Sequence, residues 1–244
     1  MKINSREELN HLQEYYSSRL NAQKKRILVC AGTGCVAGGS LLIYDRLKEL
    51  MEEKGSCCEV VLEEEPHDPS LHSASAGTDG CCAEGKAPIG LKKSGCHGFC
   101  EMGPLLRIDP EGLLYIKVKV EDCEEIIEKS ILHDEVVERL IYKDAEHSYS
   151  KQEEIPFYKK QTRIALEHCG HINAESIKEY IAVGGYSAMA KALFEMDSQQ
   201  IVDEISESNL RGRGGGGFPT GVKWAQVLAQ PQEEKYIVCN GDEG

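Results

Sequence analysis

The alternation of apolar and polar positions predicts a small α/β domain in the first half of the chain. The run RILVC, residues 26–30, is short and apolar, which is typical of a buried strand. After a glycine-rich turn, residues 41–54 place their apolar side chains on one helical face, and Gly55 ends that pattern. Residues 57–62 predict a second strand.

Two changes of pattern follow. Residues 63–95 are rich in Ser, Gly, Pro and charge, so we expect a mobile surface insertion. Residues 105–108 and 113–118 predict two strands joined by the turn DPEG, with helices at 122–130 and 134–142. The order of strand, helix, strand, hairpin and helix favours a mixed sheet in an α/β domain.

The second half has helical periodicity. After a polar linker, Asn173 is a candidate cap for a helix that ends at Gly184, and two further helices follow in YSAMAKALFEM and DSQQIVDEI. A helix over 221–229 and a strand over 236–239 come last. We therefore predict an N-terminal helical arm (1–22), an α/β domain (23–145, with the insertion 63–95), a linker (146–156) and a second domain (157–244).

The net charge and the composition argue against several classes of partner and location. The formal net charge of −13 argues against a nucleic-acid partner and against docking on an anionic membrane. The charged first 26 residues contain no signal peptide, and no apolar run is long enough to span a membrane, so we expect a cytoplasmic protein. In a reducing compartment the 11 cysteines are more often metal ligands or thiols than disulfides.

Four cysteines form two close pairs. Cys30 and Cys35 lie in CAGTGC, directly after the first strand, and Cys96 and Cys100 lie in CHGFC, just before another. Four thiolates on two tight loops suit a [2Fe–2S] cluster with two ligands for each iron, and the glycines let backbone N–H groups approach sulfur. The same spacing also fits a zinc site or unligated thiols.

A second candidate site is the glycine loop in LRGRGGGGFPTGVKW, residues 210–224. It satisfies G-x-G-x-x-G, but a helix precedes it and FPTG separates it from the next helix, so it is neither a Rossmann fingerprint nor a P-loop. Bare backbone, Thr220 as a helix cap and Lys223 on the first turn favour a flat or phosphorylated ligand. Asn240, Asp242 and Glu243 follow the last predicted strand, where α/β sheets usually place ligands.

These motifs together resemble a known family. LRGRGGGGFPTGVKW followed by KYIVCNGDEG resembles the flavin- and NADH-binding subunit of respiratory complex I, and CAGTGC with CHGFC resembles the thioredoxin-like [2Fe–2S] ferredoxin domain. The two in this order resemble the beta subunit of NAD(P)-linked, often electron-bifurcating [FeFe]-hydrogenases, and related formate dehydrogenases share the arrangement. The implied fold is a thioredoxin-like ferredoxin domain followed by the N-terminal part of an FMN-binding α/β domain.

The resemblance also implies roles for individual residues. The cluster ligands would be Cys30, Cys35, Cys96 and Cys100. The pocket for FMN and the nicotinamide would be formed by Gly212, Arg213, Gly214, Gly215, Gly217, Phe218, Lys223, Asn240, Asp242 and Glu243. The cofactors themselves would carry the chemistry, so no residue of the chain is assigned as catalytic.

The implied function is that of an electron-transfer oxidoreductase subunit that passes electrons between NAD(P)H, FMN and iron–sulfur clusters. Its implied partners are a hydrogenase or formate dehydrogenase catalytic subunit and a small ferredoxin-like subunit. In this family the chain continues well past the last motif into a domain with a [4Fe–4S] cluster, so we expect a truncated chain. The alternative is a stand-alone [2Fe–2S] module without a working flavin site.

Overall fold

A computed structural model describes residues 3–53, 89–236 and 238 of the chain. Contacts divide the chain into two compact units, one of His11–Gly185 and one of Met1–Asn10 with Tyr186–Gly244. The first unit contains the cysteine loops and the second contains the glycine loop. The domain boundaries inferred from the sequence stay a prediction.

The first unit is built on a mixed four-stranded sheet. Its strands are β1 (Lys25–Cys30), β2 (Ile89–Ser94), β3 (Leu106–Asp109) and β4 (Leu113–Tyr115), in the spatial order β2-β1-β3-β4. β1 pairs parallel with β2, whereas β1 with β3 and β3 with β4 are antiparallel. A βαβ crossover followed by an antiparallel hairpin agrees with the predicted α/β, thioredoxin-like class, and the hairpin confirms the two strands expected there.

This unit also contains helices, of which Ser40–Glu53 contacts β1 and β2. They are α1 (Arg6–Asn21, which begins in the second unit), α2 (Thr33–Ala37), α3 (Ser40–Glu53), α4 (Cys123–Glu125), α5 (Pro156–Lys159) and α6 (Ile177–Ala182). α4 continues as π-helical turns through Leu132, which confirms the helix predicted at 122–130. A short ribbon pairs β5 (Tyr142–Lys143) with β6 (Ser148–Tyr149).

The main core lies between the sheet and two helical segments. The apolar face predicted for α3 is buried, because Ile43, Leu47, Leu50 and Met51 are each at most 3% exposed. They pack with β1, β3 and the helical segment 123–132 in one hydrophobic cluster. Burial of this apolar surface is the main source of stability for the unit.

The predicted insertion 63–95 is wrong for its last residues, because Ile89–Ser94 is β2. The sequence of this strand, IGLKKS, contains two lysines, so the pattern of apolar residues does not predict a buried strand there. Lys92 is nevertheless buried, since its ammonium group forms an ion pair of 2.7 Å with Glu179 of α6, and both side chains are 7% exposed. The strand predicted at 57–62 and the rest of the insertion lie outside the described residues, apart from those of β2 and Gly95.

The helix predicted at 134–142 is also wrong. Asp134 has a positive φ of 59°, which interrupts a right-handed helix, and the segment ends in β5. The backbone N–H of Val137 donates to the Tyr115 hydroxyl at 2.8 Å. A tertiary hydrogen bond therefore replaces the helical one that the local pattern suggested.

The described part of the second unit contains, besides the first residues of α1, three helices: α7 (Ser187–Glu195), α8 (Ser198–Glu207) and α9 (Thr220–Leu228). All three were expected from the sequence. Asp197 caps α8, because its carboxylate accepts the backbone N–H of Gln200, while the Gln200 side chain accepts the N–H of Asp197. α8 packs against α9 with the glycine loop between them in sequence.

Candidate functional site

The four predicted cysteines come from two loops at one edge of the sheet. Cys30 ends β1 and Cys35 lies in α2, while Cys96 and Cys100 follow β2. β1 and β2 are parallel neighbours with Cys30 opposite Ser94, so both loops leave the sheet at the same end. Cys30 and Cys35 are buried, and Cys96 and Cys100 are exposed.

The sulfur atoms are close together in pairs. The Sγ atoms of Cys96 and Cys100 are 3.8 Å apart. Two thiolates bound tetrahedrally at about 2.3 Å to one metal ion would be separated by about 3.8 Å. Among the described residues, no three His, Cys, Asp or Glu side chains are arranged around a position for one metal ion.

Glycines make the close approach of the two loops possible. A Cβ atom on Gly32 would lie 2.9 Å from the Cβ of Cys96, and one on Gly103 would lie 2.8 Å from the Sγ of Cys35. A Cβ on Gly34 would be 3.3 Å from that of Cys100. Any side chain at Gly32 or Gly103 would therefore push a cysteine out of its place.

Hydrogen bonds to sulfur favour a thiolate at the buried end of the site. The pKa of Cys30 is lowered to about 6, first by the thiol of Cys35 and then by the backbone N–H groups of His97 and Gly32. The same contact with Cys30, together with burial, raises the pKa of Cys35. At the exposed end, the N–H of Gly98 donates to Cys96 Sγ at 3.3 Å. Such donors stabilise negative charge on sulfur.

His97 holds the second cysteine loop from inside. Its ring is fully buried, and burial lowers its pKa to about 4, so the imidazole is neutral. Nδ1 lies 3.3 Å from Gln152 Oε1, and Nε2 lies 2.9 Å from Ser94 Oγ. Because the Gln152 oxygen can only accept, Nδ1 carries the proton. The loop is thereby attached to the sheet through Ser94 and to the predicted linker through Gln152.

An aromatic wall beside the cysteines was missed by the sequence reasoning. Phe99 stacks on Phe157, with ring centroids 4.6 Å apart, and meets Tyr158 edge to face at 5.6 Å. The Arg163 guanidinium lies 5.1 Å from the Tyr158 ring and donates to the His97 carbonyl at 2.8 Å. The aromatic pair Phe157-Tyr158, at the end of a polar stretch, was the one available signal.

Hydrogen bonds join the two ends of the glycine loop, whereas its tip, Gly214–Gly217, has open space around it. The backbone N–H of Gly212 donates to the Phe218 carbonyl at 2.9 Å, and Arg211 donates from Nη1 to the Gly217 carbonyl at 3.2 Å. By contrast, a Cβ on any residue from Gly214 to Gly217 would meet nothing within 4 Å. Gly215 and Gly217 have φ values of 90° and 57°, which glycine adopts without strain.

The remaining predicted flavin residues are distributed around this loop. Arg213, Phe218 and Lys223 are exposed or partly exposed, with Phe218 at 51%. Asn240, Asp242 and Glu243, and two of the four residues of the strand predicted at 236–239, lie outside the described residues. The expected cap by Thr220 is wrong, because Pro219 occupies the N-cap position and the Thr220 N–H donates to the Leu210 carbonyl at 2.9 Å.

Comparison with known proteins addresses the glycine loop directly. Residues 205–244 match the family model of the Nuo51 FMN-binding domain. This segment of the chain is thus similar to part of the 51 kDa-type FMN-binding family. The matched segment begins in α8 and includes the glycine loop and α9.

Two relatives extend the match beyond this segment. The HndC chain of the NADP-reducing hydrogenase of Solidesulfovibrio fructosivorans is 54% identical over 86 residues, which are 35% of this chain and 17% of that protein. A chain of the NADH-quinone oxidoreductase of Rhizobium meliloti is 51% identical over 75 residues, 31% of this chain and 17% of that protein. The matched part is thus about a sixth of the length of either relative.

Two matches to solved structures have low TM-scores. A thioredoxin-like [2Fe–2S] ferredoxin from Aquifex aeolicus has a TM-score of 0.34 at 25% identity, covering 50% of this chain and 99% of that one. An NAD⁺-reducing [NiFe]-hydrogenase has a TM-score of 0.32 at 14% identity, covering 93% of this chain and 34% of that one. Within the described part of the chain, no helix is both long and apolar enough to cross a membrane.

Proposed function

We propose that this chain is part of an electron-transfer oxidoreductase subunit, in which Cys30, Cys35, Cys96 and Cys100 hold a [2Fe–2S] cluster and the glycine loop binds FMN. The observation that carries the proposal is the meeting of two cysteine pairs at one edge of the sheet, in a chain that also contains a segment similar to the FMN-binding family. When bound, the flavin would exchange two electrons with a nicotinamide and single electrons with the iron–sulfur cluster.

The cysteine site fits a two-iron cluster in three ways. The separation of 3.8 Å within the pair Cys96 and Cys100 suits two ligands of one metal ion. The backbone N–H groups of His97 and Gly32 already favour a thiolate at Cys30. Exposure of the second pair leaves one edge of the site open, through which an electron could leave toward a partner.

The glycine loop fits the flat ring and phosphate of a flavin. Its tip offers bare backbone over four consecutive glycines, Gly214–Gly217, which lets a planar group approach the peptide units. Lys223 on the first turn of α9 would supply positive charge for a phosphate, and Phe218 would face the nicotinamide side. Arg213, Gly212 and the acidic and amide residues at 240, 242 and 243 complete the proposed pocket.

The partners follow from the same proposal. A subunit of this kind would transfer electrons between NAD(P)H and the catalytic subunit of a hydrogenase or formate dehydrogenase, with a small ferredoxin-like subunit between them. The names of the relatives, chains of a hydrogenase and of a quinone oxidoreductase, support an assembly of several chains.

The test of the cluster is anaerobic expression with iron and sulfide, followed by the EPR spectrum of the dithionite-reduced chain. We expect a [2Fe–2S] signal that Cys96→Ser abolishes or alters. The matched control is Cys169→Ser, which removes a partly exposed thiol that is not one of the four ligands. A colourless protein that contains zinc would overturn the cluster assignment.

The flavin is tested separately by titrating FMN and following its fluorescence. We expect Lys223→Gln to weaken binding several-fold, while Lys191→Gln leaves it unchanged, because Lys191 lies on α7 and pairs with Glu204 at 3.5 Å. The second candidate function is a [2Fe–2S] module without a working flavin site. A cluster signal with no FMN binding would support that candidate.

A further inference from the structure

The Tyr158 hydroxyl is a buried polar group without a partner among the described residues. The side chain is only 8% exposed, and it belongs to the same buried cluster as Cys30 and Cys35. A buried hydroxyl that makes no hydrogen bond costs free energy, so a native protein rarely keeps one without a reason. The position of this one beside the cysteine loops indicates what its partner is.

The ring of Tyr158 is held in place from two sides. Phe99, which lies inside the CHGFC loop, packs against it edge to face, and Arg163 lies over its face. Arg163 also donates to the carbonyl of His97, so the same residue fixes the tyrosine and the cysteine loop relative to each other. The hydroxyl therefore cannot turn to solvent to find another acceptor.

The electrostatics agree with this geometry. Burial chiefly raises the pKa of Tyr158; the charge of Arg163 opposes this shift, whereas the charges of Cys30 and Cys96 add to it. The hydroxyl stays protonated at neutral pH, and it can act only as a donor to a negatively charged neighbour. Sulfur that carries negative charge is such a neighbour.

We propose that Tyr158 is a positioning residue of the cysteine site, whose hydroxyl donates a hydrogen bond to a sulfur atom of the bound iron–sulfur cluster. This inference rests on the proposed function, because it needs a cluster at the four cysteines. Hydrogen bonds to the sulfurs stabilise the reduced, more negative state of a cluster. Tyr158 thereby raises the reduction potential of the cluster.

The test compares Tyr158→Phe with the unchanged 244-residue chain, each with and without reconstituted iron and sulfide. In the loaded chain we expect a midpoint potential that shifts to more negative values. We also expect loss of the shift in Fe–S stretching frequency that deuterated water produces in the resonance Raman spectrum. In the unloaded chain we expect an equal or higher melting temperature, because the substitution removes only an unpartnered hydroxyl.

The matched control is Tyr149→Phe, in the same aromatic cluster, whose hydroxyl donates to Asp144 at 2.8 Å. We expect that variant to leave both the potential and the Raman shift unchanged. A loaded Tyr158→Phe chain with unchanged potential and unchanged Raman shift would overturn the inference, and so would a lower melting temperature of the unloaded variant. If the unsubstituted chain takes up no iron and sulfide, the proposed function itself fails.

Discussion

The contact between α8 and α9 depends on the absence of a side chain at Gly221, in the first turn after the glycine loop. A Cβ atom there would lie 2.2 Å from the Oγ of Ser206, 2.6 Å from its Cα and 2.8 Å from its backbone nitrogen. Rotation of the serine side chain relieves only the first of these clashes. Carbon atoms pack at about 3.5–4.0 Å, so the two helices would have to separate by about 1 Å.

The substitution Gly221→Ala therefore has two opposing effects on stability. Overpacking of this kind typically costs about 1–3 kcal/mol. Alanine has a higher helix propensity than glycine, which returns about 1 kcal/mol at most. We expect a net loss of about 1–2 kcal/mol in the free energy of unfolding of this part of the chain.

The assay is urea unfolding followed by tryptophan fluorescence. Trp224, the one tryptophan of the chain, lies in α9 three residues beyond Gly221, so its emission reports on this helix. The matched control is Gly216→Ala, because a Cβ at Gly216 meets nothing within 4 Å and the residue has no positive φ. Equal unfolding midpoints for both variants would refute the packing argument.

Three further predictions concern the first unit. Lys92→Met leaves the buried carboxylate of Glu179 without its ion-pair partner, so the free energy of unfolding measured in urea should fall by about 3–5 kcal/mol. The double variant with Glu179→Leu should recover most of that loss. Equal losses in the single and the double variant would contradict this reasoning. Burial raises the pKa of Cys123 to about 12 from 9.0. Above pH 9 the thiol of Cys123 loses its proton in the unfolded chain and keeps it in the folded chain, so the free energy of unfolding falls as the pH rises. This group alone should contribute a decrease of about 1.4 kcal/mol at about pH 10. In Cys123→Ala the decrease between about pH 8 and pH 10 should be smaller by that amount. Gly103→Ala would place a Cβ 2.8 Å from Cys35 Sγ, so we expect less iron per chain after reconstitution, and an unchanged iron content would contradict the expected displacement.

Local patterns were sufficient where neighbouring residues decide the structure. The apolar face of α3, the capped start of α8 and the paired strands of the hairpin each depend on residues close in sequence. The cysteine pairs are also local, since each lies within a single tight loop. The parallel pairing of β1 with β2 then brings the two loops together.

Only the tertiary structure decided the features that depend on distant partners. β2 contains Lys92, and it is a buried strand because Glu179, far away in the sequence, neutralises that lysine. The segment 134–142 is not a helix because Tyr115 accepts the hydrogen bond that a helix would have made. No periodicity encodes such contacts, since their free energy arises only when the two segments meet.

The same distinction applies to the candidate site. The sequence alone predicted which cysteines bind a metal and where bare backbone accepts a flat ligand, and both remain predictions. The aromatic wall of Phe99, Phe157 and Tyr158, and the arginine that holds it, emerged only from the fold. A ligand set is a property of a short motif, whereas the environment that sets its potential comes from side chains that folding brings near the sulfur atoms.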